Sequence, residues 1–204
     1  SSVSDDWKGN PMVNVYRTVP RLGIGQALNF GVSVSTGEFC LFLEDDDYWP
    51  FNYIESILNC LKINKNCFTV AEIKNIDSEG KLVTYKKIPS DIAKRDLLTK
   101  NPGINISNIG IMRSDIDRVL GFDIRSTISV DKIMAARLIE NNVHPVLATG
   151  AYSIVSLSGD KMSRNNFRSI QSSITFFWRF KSDYNLVDSI RLFAKILKLL
   201  IIKK

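Results

Sequence analysis

Residues 38–43, EFCLFL, read as a strand that is apolar on both of its faces. Such a strand belongs in the interior of a sheet covered by helices on both sides, the layered α/β arrangement, rather than in an antiparallel sheet with one wet face. The next residues narrow the choice further. Glu44, Asp45, Asp46 and Asp47 follow directly, and Tyr48, Trp49 and Pro50 close the run. Adjacent carboxylates repel, and burying one without a partner is costly. A solvated turn explains most short acidic runs. The other reading is a divalent cation site, since Mg²⁺ and Mn²⁺ take carboxylate oxygens. In open α/β sheets the ligand crevice lies outside the carboxyl ends of the strands, and the four acids sit at that place. Position favours the cation site.

Strands alternate with helices along the rest of the chain. Val13, Val15 and Val19 alternate as in a strand over 13–19, and a short helix over 25–37 is stopped by Gly37. After Pro50, apolar residues at 54, 57, 58 and 61 have the spacing of an amphipathic helix. Segments 66–76 and 81–88 read as strands around the turn DSEG at 77–80. A helix over 90–100 has Ser90 as its N-cap. Segment 105–113 is a strand, 130–142 a helix and 144–158 a strand. The pattern is α/β: a mixed, mainly parallel sheet flanked by helices, with a C-terminal amphipathic helix. No internal repeat and no low-complexity linker interrupts it.

Composition supports one globular unit of 204 residues, 45% hydrophobic, with an appendage. The chain opens at Ser1 with no initiator Met and no signal-peptide pattern, which reads as an internal start. Cys40, Cys60 and Cys67 make no C-x-x-C pair, so ordinary core thiols in a reducing cytoplasm are expected. His144 has no partner at metal-ligand spacing. The net charge of +6 is unevenly spread: residues 161–204 hold ten basic and two acidic residues, whereas residues 1–160 hold 17 basic and 19 acidic. The division predicts a domain over 1–160 and a basic helical region over 161–204, with an anionic surface touched by the latter alone. Within 186–202, Asp188, Arg191, Lys195 and Lys198 fall on one stripe and nearly everything else is apolar. That pattern suits a helix lying on anionic lipid through 174–204, at the inner face of a membrane. It also suits a helix buried against the domain or against a second subunit.

Four segments, in order, resemble the inverting glycosyltransferases of family 2, which have the GT-A fold: VSDDWKGN (3–10), RLGIGQALNFGVSVSTGEFCLFLEDDDYW (21–49), GIMRSDIDRVLGFD (110–123) and SVDKIMAARLIENN (129–142). The resemblance implies a metal-dependent transferase that moves a sugar from a nucleotide-diphosphate donor to a glycan or lipid-linked acceptor, with no nucleic acid partner. It implies that Asp5 and Asp6 contact the base and ribose, and that Asn29, Asp45 and Asp46 line the nucleotide-sugar site. Asp46 and Asp47, supported by Glu44, would hold Mn²⁺ or Mg²⁺, although 44-x-46 and 45-x-47 are both acid-x-acid and leave the register open. Asp131 would be the base. By position alone, the favoured reading is a capping or first-turn acid stabilised by the helix dipole. Trp49 reads as a packing residue rather than a ligand.

The chain departs from the family pattern in several places. A strand, loop and helix that usually precede the first acidic pair are not in the sequence. Leu28 stands where Arg is common, Glu44 stands where the metal motif usually begins with Asp, and Val130 replaces the first of two acids. A degenerate, non-catalytic relative that only binds a partner is the competing reading. A Ca²⁺-binding structural domain fits less well, because the acids lack the D-x-[DN]-x-[DN]-G spacing.

Overall fold

The computed structural model of the chain describes residues 10–19, 22–126, 128–157 and 166–201. Asp5 and Asp6 lie outside them. Helix α1 (Ile24–Val34) leads to strand β1 (Phe39–Leu41), the acid run and the two-residue β2 (Asp47–Tyr48). Then come α2 (Tyr53–Ile63), β3 (Cys67–Ile76), β4 (Leu82–Lys86), α3 (Lys94–Thr99), β5 (Ile109–Met112), α4 (Arg113–Arg118), α5 (Val130–Glu140) and β6 (His144–Ser156). Helices α6 (Asn166–Arg179) and α7 (Leu186–Ile201) follow.

The strands form one sheet in the order β1-β5-β3-β6-β2, with β4 also paired to β3. The α/β class is as expected, but the sheet is not mainly parallel. Only β3 and β6 pair in parallel, and the other described pairings are antiparallel. The reason lies in where β5 inserts. Strands β1, β3 and β6 all run the same way, but β5 enters between β1 and β3 in the opposite sense and turns one parallel neighbourhood into two antiparallel ladders. Beyond β5, the same edge of β3 is continued by β4, across the turn at Asp77, whose side chain accepts from the N–H groups of Glu79 and Lys81.

Strand β3 shows why a sheet with helices on both faces is needed. Phe68 and Val70 point into one apolar cluster, shared with Leu97, Ile133 and Leu138 of α3 and α5. Cys67 and Ala71 point into the other, against Tyr53, Ile57 and Leu61 of α2. A side chain of this size contributes about 1.5–3 kcal/mol on full burial, so the two layers are cooperative with the sheet rather than decorations on it. The three cysteines are free thiols, and burial pushes Cys67 up to about 11.

Two sequence expectations fail locally. No strand forms over 13–19: among the described strands none offers that segment a ladder, and Val15 and Val19 remain exposed. Tyr16 instead meets Phe30 of α1 edge-on, with ring centroids 5.5 Å apart. Helix α3 begins at Lys94, not after Ser90, because Asp96 accepts from the Ala93 N–H at 3.1 Å and fixes the first turn there. The C-terminal helices pack on this body. Phe176 of α6 and Phe180, just past its end, belong to the main core, and the Tyr184 hydroxyl donates to the Leu98 carbonyl.

Candidate functional site

The acid run is a tight turn at the carboxyl end of β1. The Asp47 N–H donates to the Glu44 carbonyl at 3.2 Å, which closes a four-residue turn with Asp45 and Asp46 exposed at its tip. Glu44 is half-buried. Asp47 is 4% exposed and already belongs to β2, opposite Val155 of β6. The repulsion that four neighbouring carboxylates would suffer in a straight strand is thereby relieved by aiming them differently.

What holds the turn comes from sixty residues further on. The Ser107 hydroxyl accepts from the Glu44 N–H at 3.0 Å, and the Ser107 carbonyl accepts from Trp49 Nε1 at 2.7 Å and from the Tyr53 hydroxyl at 3.2 Å. One buried residue thus grips both ends of the acid run. Trp49 is a packing residue, stacked on Tyr53 with centroids 4.7 Å apart. Ser107 is itself set by asparagines. Asn105 accepts from the Ser107 N–H at 2.8 Å, and buried Asn108 donates to the carbonyls of Ala71 and Gly103 at 2.6 and 2.8 Å. Asn101 accepts from the N–H groups of Gly103 and Ile104. Sequence reasoning passed over this support and read 105–113 as plain strand. The signal was there in NPGINISN (101–108), where three asparagines and a glycine are turn chemistry rather than strand chemistry. Ser107→Ala is expected to lower unfolding stability by about 1–2 kcal/mol, the range for a lost hydrogen bond to a part-buried amide, measurable by urea titration.

The segment Gly121–Asp123 is the second wall. Asn29 of α1 straps it down: its Nδ2 donates to the Phe122 carbonyl at 2.9 Å and its Oδ1 accepts from the Phe122 N–H at 2.7 Å. Gly121 adopts φ of 72°, and a Cβ there would lie 2.5 Å from Asn29 Oδ1. A Cβ on Gly25 would lie 2.4 Å from the Asp123 carbonyl, so α1 reaches this loop only through glycine. The Phe122 ring meets Phe42 edge-on at 5.1 Å, directly before the acids. Asp123 is buried and ion-paired to Arg179 of α6 at 2.9 Å.

Asp131 lies in the first turn of α5, eight residues beyond Asp123. Helix α5 packs on the sheet and ends three residues before β6, so its first turn lies toward the end at which β1, β3 and β6 finish. The Asp131 carboxylate accepts from the Lys132 N–H at 2.7 Å. Burial raises its pKa above the ordinary carboxylate value, with the amide and the Lys132 ammonium opposing the rise. Lys132 is 6% exposed and lies 3.8 Å from the centre of the Phe176 ring. Burial, with the Lys195 ammonium nearby, pushes it down to about 8.

The acid turn and the Asn29 strap therefore meet through Phe42 and Phe122, and α5, which opens with Asp131, reaches the same segment through Arg137, whose Nη1 donates to the Gly121 carbonyl at 2.9 Å. Among the described residues no three His, Cys, Asp or Glu side chains gather into a metal cage. The exposed carboxylate of Asp46 and the buried one of Asp47 beside it are hard-oxygen donors of the kind that suits a Mg²⁺- or Mn²⁺-type ion, which is commonly held by one or two carboxylates and completed by substrate phosphates. A cavity of about 380 Å³ lined by Glu38, Lys62, Asp115 and Arg118 lies at the opposite, amino end of β1 and takes no part in this arrangement.

The model of glycosyl transferase family 2 matches residues 2–121. Asp131 lies just beyond that stretch. No curated protein matches the chain. Among solved structures it is similar to S. aureus TarS 1–349 in complex with UDP-GlcNAc, at 15% identity and a TM-score of 0.53, over 87% of this chain and 53% of that one. It is also similar to GalNAc-T7 with UDP, GalNAc and Mn²⁺, at 14% identity and a TM-score of 0.58, over 85% of this chain and 37% of that one. A further S. aureus TarS structure matches at 15% identity and a TM-score of 0.50, over 90% and 32%. The chain spans between about a third and a half of these proteins' lengths, and at such identities the likeness shows the fold.

Proposed function

Because the chain belongs to glycosyl transferase family 2, we propose that it transfers a sugar, with inversion, from a nucleoside-diphosphate donor to a hydroxyl of a glycan or lipid-linked acceptor. The observation that carries this reading is the turn Glu44–Asp47 at the carboxyl end of β1, gripped on either side by Ser107 through the Glu44 N–H and Trp49 Nε1. Asp131 acts as the base. It takes the acceptor hydroxyl proton as the new bond forms at the anomeric carbon, while the bond to the diphosphate breaks on the opposite face and the leaving group takes the electron pair. Its raised pKa suits the task, since a more basic carboxylate is a better proton acceptor near neutral pH.

Asp46 and Asp47 would hold a divalent Mn²⁺ or Mg²⁺, with Glu44 in support and Asp45 toward the adjoining ribose. When bound, such an ion supplies charge neutralisation to the departing diphosphate. Asn29 acts by positioning the Phe122 segment, since both ends of its amide already bond there. Asp5 and Asp6 would face the base and ribose. The solved structures carrying UDP, UDP-GlcNAc and Mn²⁺ lend support through the shared fold.

The test is a thermal-shift screen of nucleoside diphosphates and their sugars, with and without Mn²⁺. A ligand at 100 times its dissociation constant stabilises the fold by about 2.7 kcal/mol, and that gain should require the metal. If no nucleotide shifts the transition in either condition, the reading is wrong.

A further inference from the structure

Of the two arrangements that the sequence of α7 allows, its apolar stripe against the domain or away from it, the structure has the second. A charged stripe on an apolar helix ordinarily faces water. In α7 it is turned only partly inward: Asp188 is 2% exposed and pairs with Arg95 at 3.4 Å, Leu192 is buried beside it and Lys195 is half-buried, while Arg191 and Lys198 stay exposed along its edge. The outward face is apolar. Ile190, Phe193, Leu197 and Leu200 are between 41% and 64% exposed, and their 3-4-3 spacing makes one continuous stripe. Helix α6, packed beside α7, exposes Phe167 and Trp178.

Charge is sorted in the same sense. Both acids of the region point inward, Asp183 to Lys94 at 2.7 Å and Asp188 to Arg95. Lys181, Arg191 and Lys198 stay exposed around the stripe, with Arg191 also 3.9 Å from Asp188. An apolar band edged by cations, with its anions withdrawn, complements a surface that is apolar within and negative at its rim. We propose that the outward face of α6 and α7 docks on anionic lipid, with α7 lying in the plane of the interface. This does not rest on the transferase reading.

The dimensions agree. At 16 residues α7 is about 24 Å long. Among the described residues no helix is long and apolar enough to cross a membrane, and the apolar stripe of α7 with cations along its edge is the pattern of a helix lying in the plane of the interface. A second copy of the chain is the poorer occupant, because face-to-face pairing of α7 would set the Arg191 and Lys198 edges of one copy near those of the other. Of the leaflets available, the cytoplasmic one carries the negative surface potential.

Co-sedimentation of the full chain with vesicles of phosphatidylcholine alone, or mixed with phosphatidylglycerol, tests this. Pelleting should require phosphatidylglycerol and decline with added salt. Lys198→Gln should lower partition about fivefold, the contribution of one cation near an anionic surface. The double variant Phe193→Ser, Leu197→Ser alters only exposed positions and should lower partition by about tenfold or more while circular dichroism stays unchanged. Equal pelleting on both vesicles, or none on either, would overturn the proposal. So would a dimer that the double variant splits in the absence of any lipid affinity.

Discussion

Asp131→Asn is expected to leave metal-dependent nucleotide binding nearly intact while sugar transfer falls by about 10²–10⁴-fold, the usual worth of a positioned base. The substitution keeps shape and an acceptor for the Lys132 N–H, so binding has no reason to suffer. A stability measurement separates this from a merely structural role. In the folded chain Asp131 holds its proton to higher pH than in the unfolded chain. Between the ordinary carboxylate value and the raised one, the native state therefore binds more protons than the unfolded state, and stability declines as pH rises through that window. Above it the native chain bears the cost of an ionised, partly desolvated carboxylate. Asparagine removes that cost, so Asp131→Asn should be no less stable than the parent at neutral pH. Nucleotide affinity and turnover falling together, with lost stability, would make Asp131 a structural residue.

The second large effect is expected at the acid turn. Asp46→Asn and Asp47→Asn should each reduce transfer roughly 10³-fold or more, because several kcal/mol of leaving-group stabilisation depend on a metal held there. Excess EDTA should do the same to the parent. The two variants differ in a second readout. Asp46 is at the exposed tip and its amide should leave the unfolding transition where it was, whereas Asp47 is buried in the β2 pairing and its substitution should shift the transition as well. Full activity in excess EDTA would remove the metal from the mechanism.

Much of this was legible in the sequence because it depends on short-range periodicity. The helical spacing after Pro50 and the turn at Asp77 each encode their own structure, and each forms as read. The apolar run before the acids does form a strand, but a shorter one, Phe39–Leu41, at the edge of the described sheet rather than in its interior. Strand direction is not encoded in that way. Nothing in IGIM (109–112) says that β5 enters between β1 and β3 rather than beside them, and that single insertion makes the sheet mostly antiparallel. The strand expected over 13–19 fails for a related reason: alternation supplies a face but not a partner. At the site, the acids and Asp131 stand out by composition and by family resemblance. Ser107 does not, since its work is done by a hydroxyl and a carbonyl that any serine has. The sequence leaves the orientation of α7 open, because a helical wheel gives two faces and does not say which one the domain takes.

The grip of Ser107 on the acid turn also bears on how the molecule folds. Its bonds to Glu44 and Trp49 close loops of 63 and 58 residues, and β5, β3 and α2 all form within or beside that span. Contacts of such long range are made late, after the entropy of ordering the intervening chain has been met by local structure. The acid turn therefore has no independent existence on the way to the native state. Its amides should exchange with solvent through the same opening that unfolds the central sheet, and the Glu44 N–H should be among the slowly exchanging groups although its neighbours Asp45 and Asp46 face water. A transient opening large enough to expose β5 would undo the proposed donor site in the same event, so nucleotide affinity, where it is found, should serve as a reporter of global foldedness.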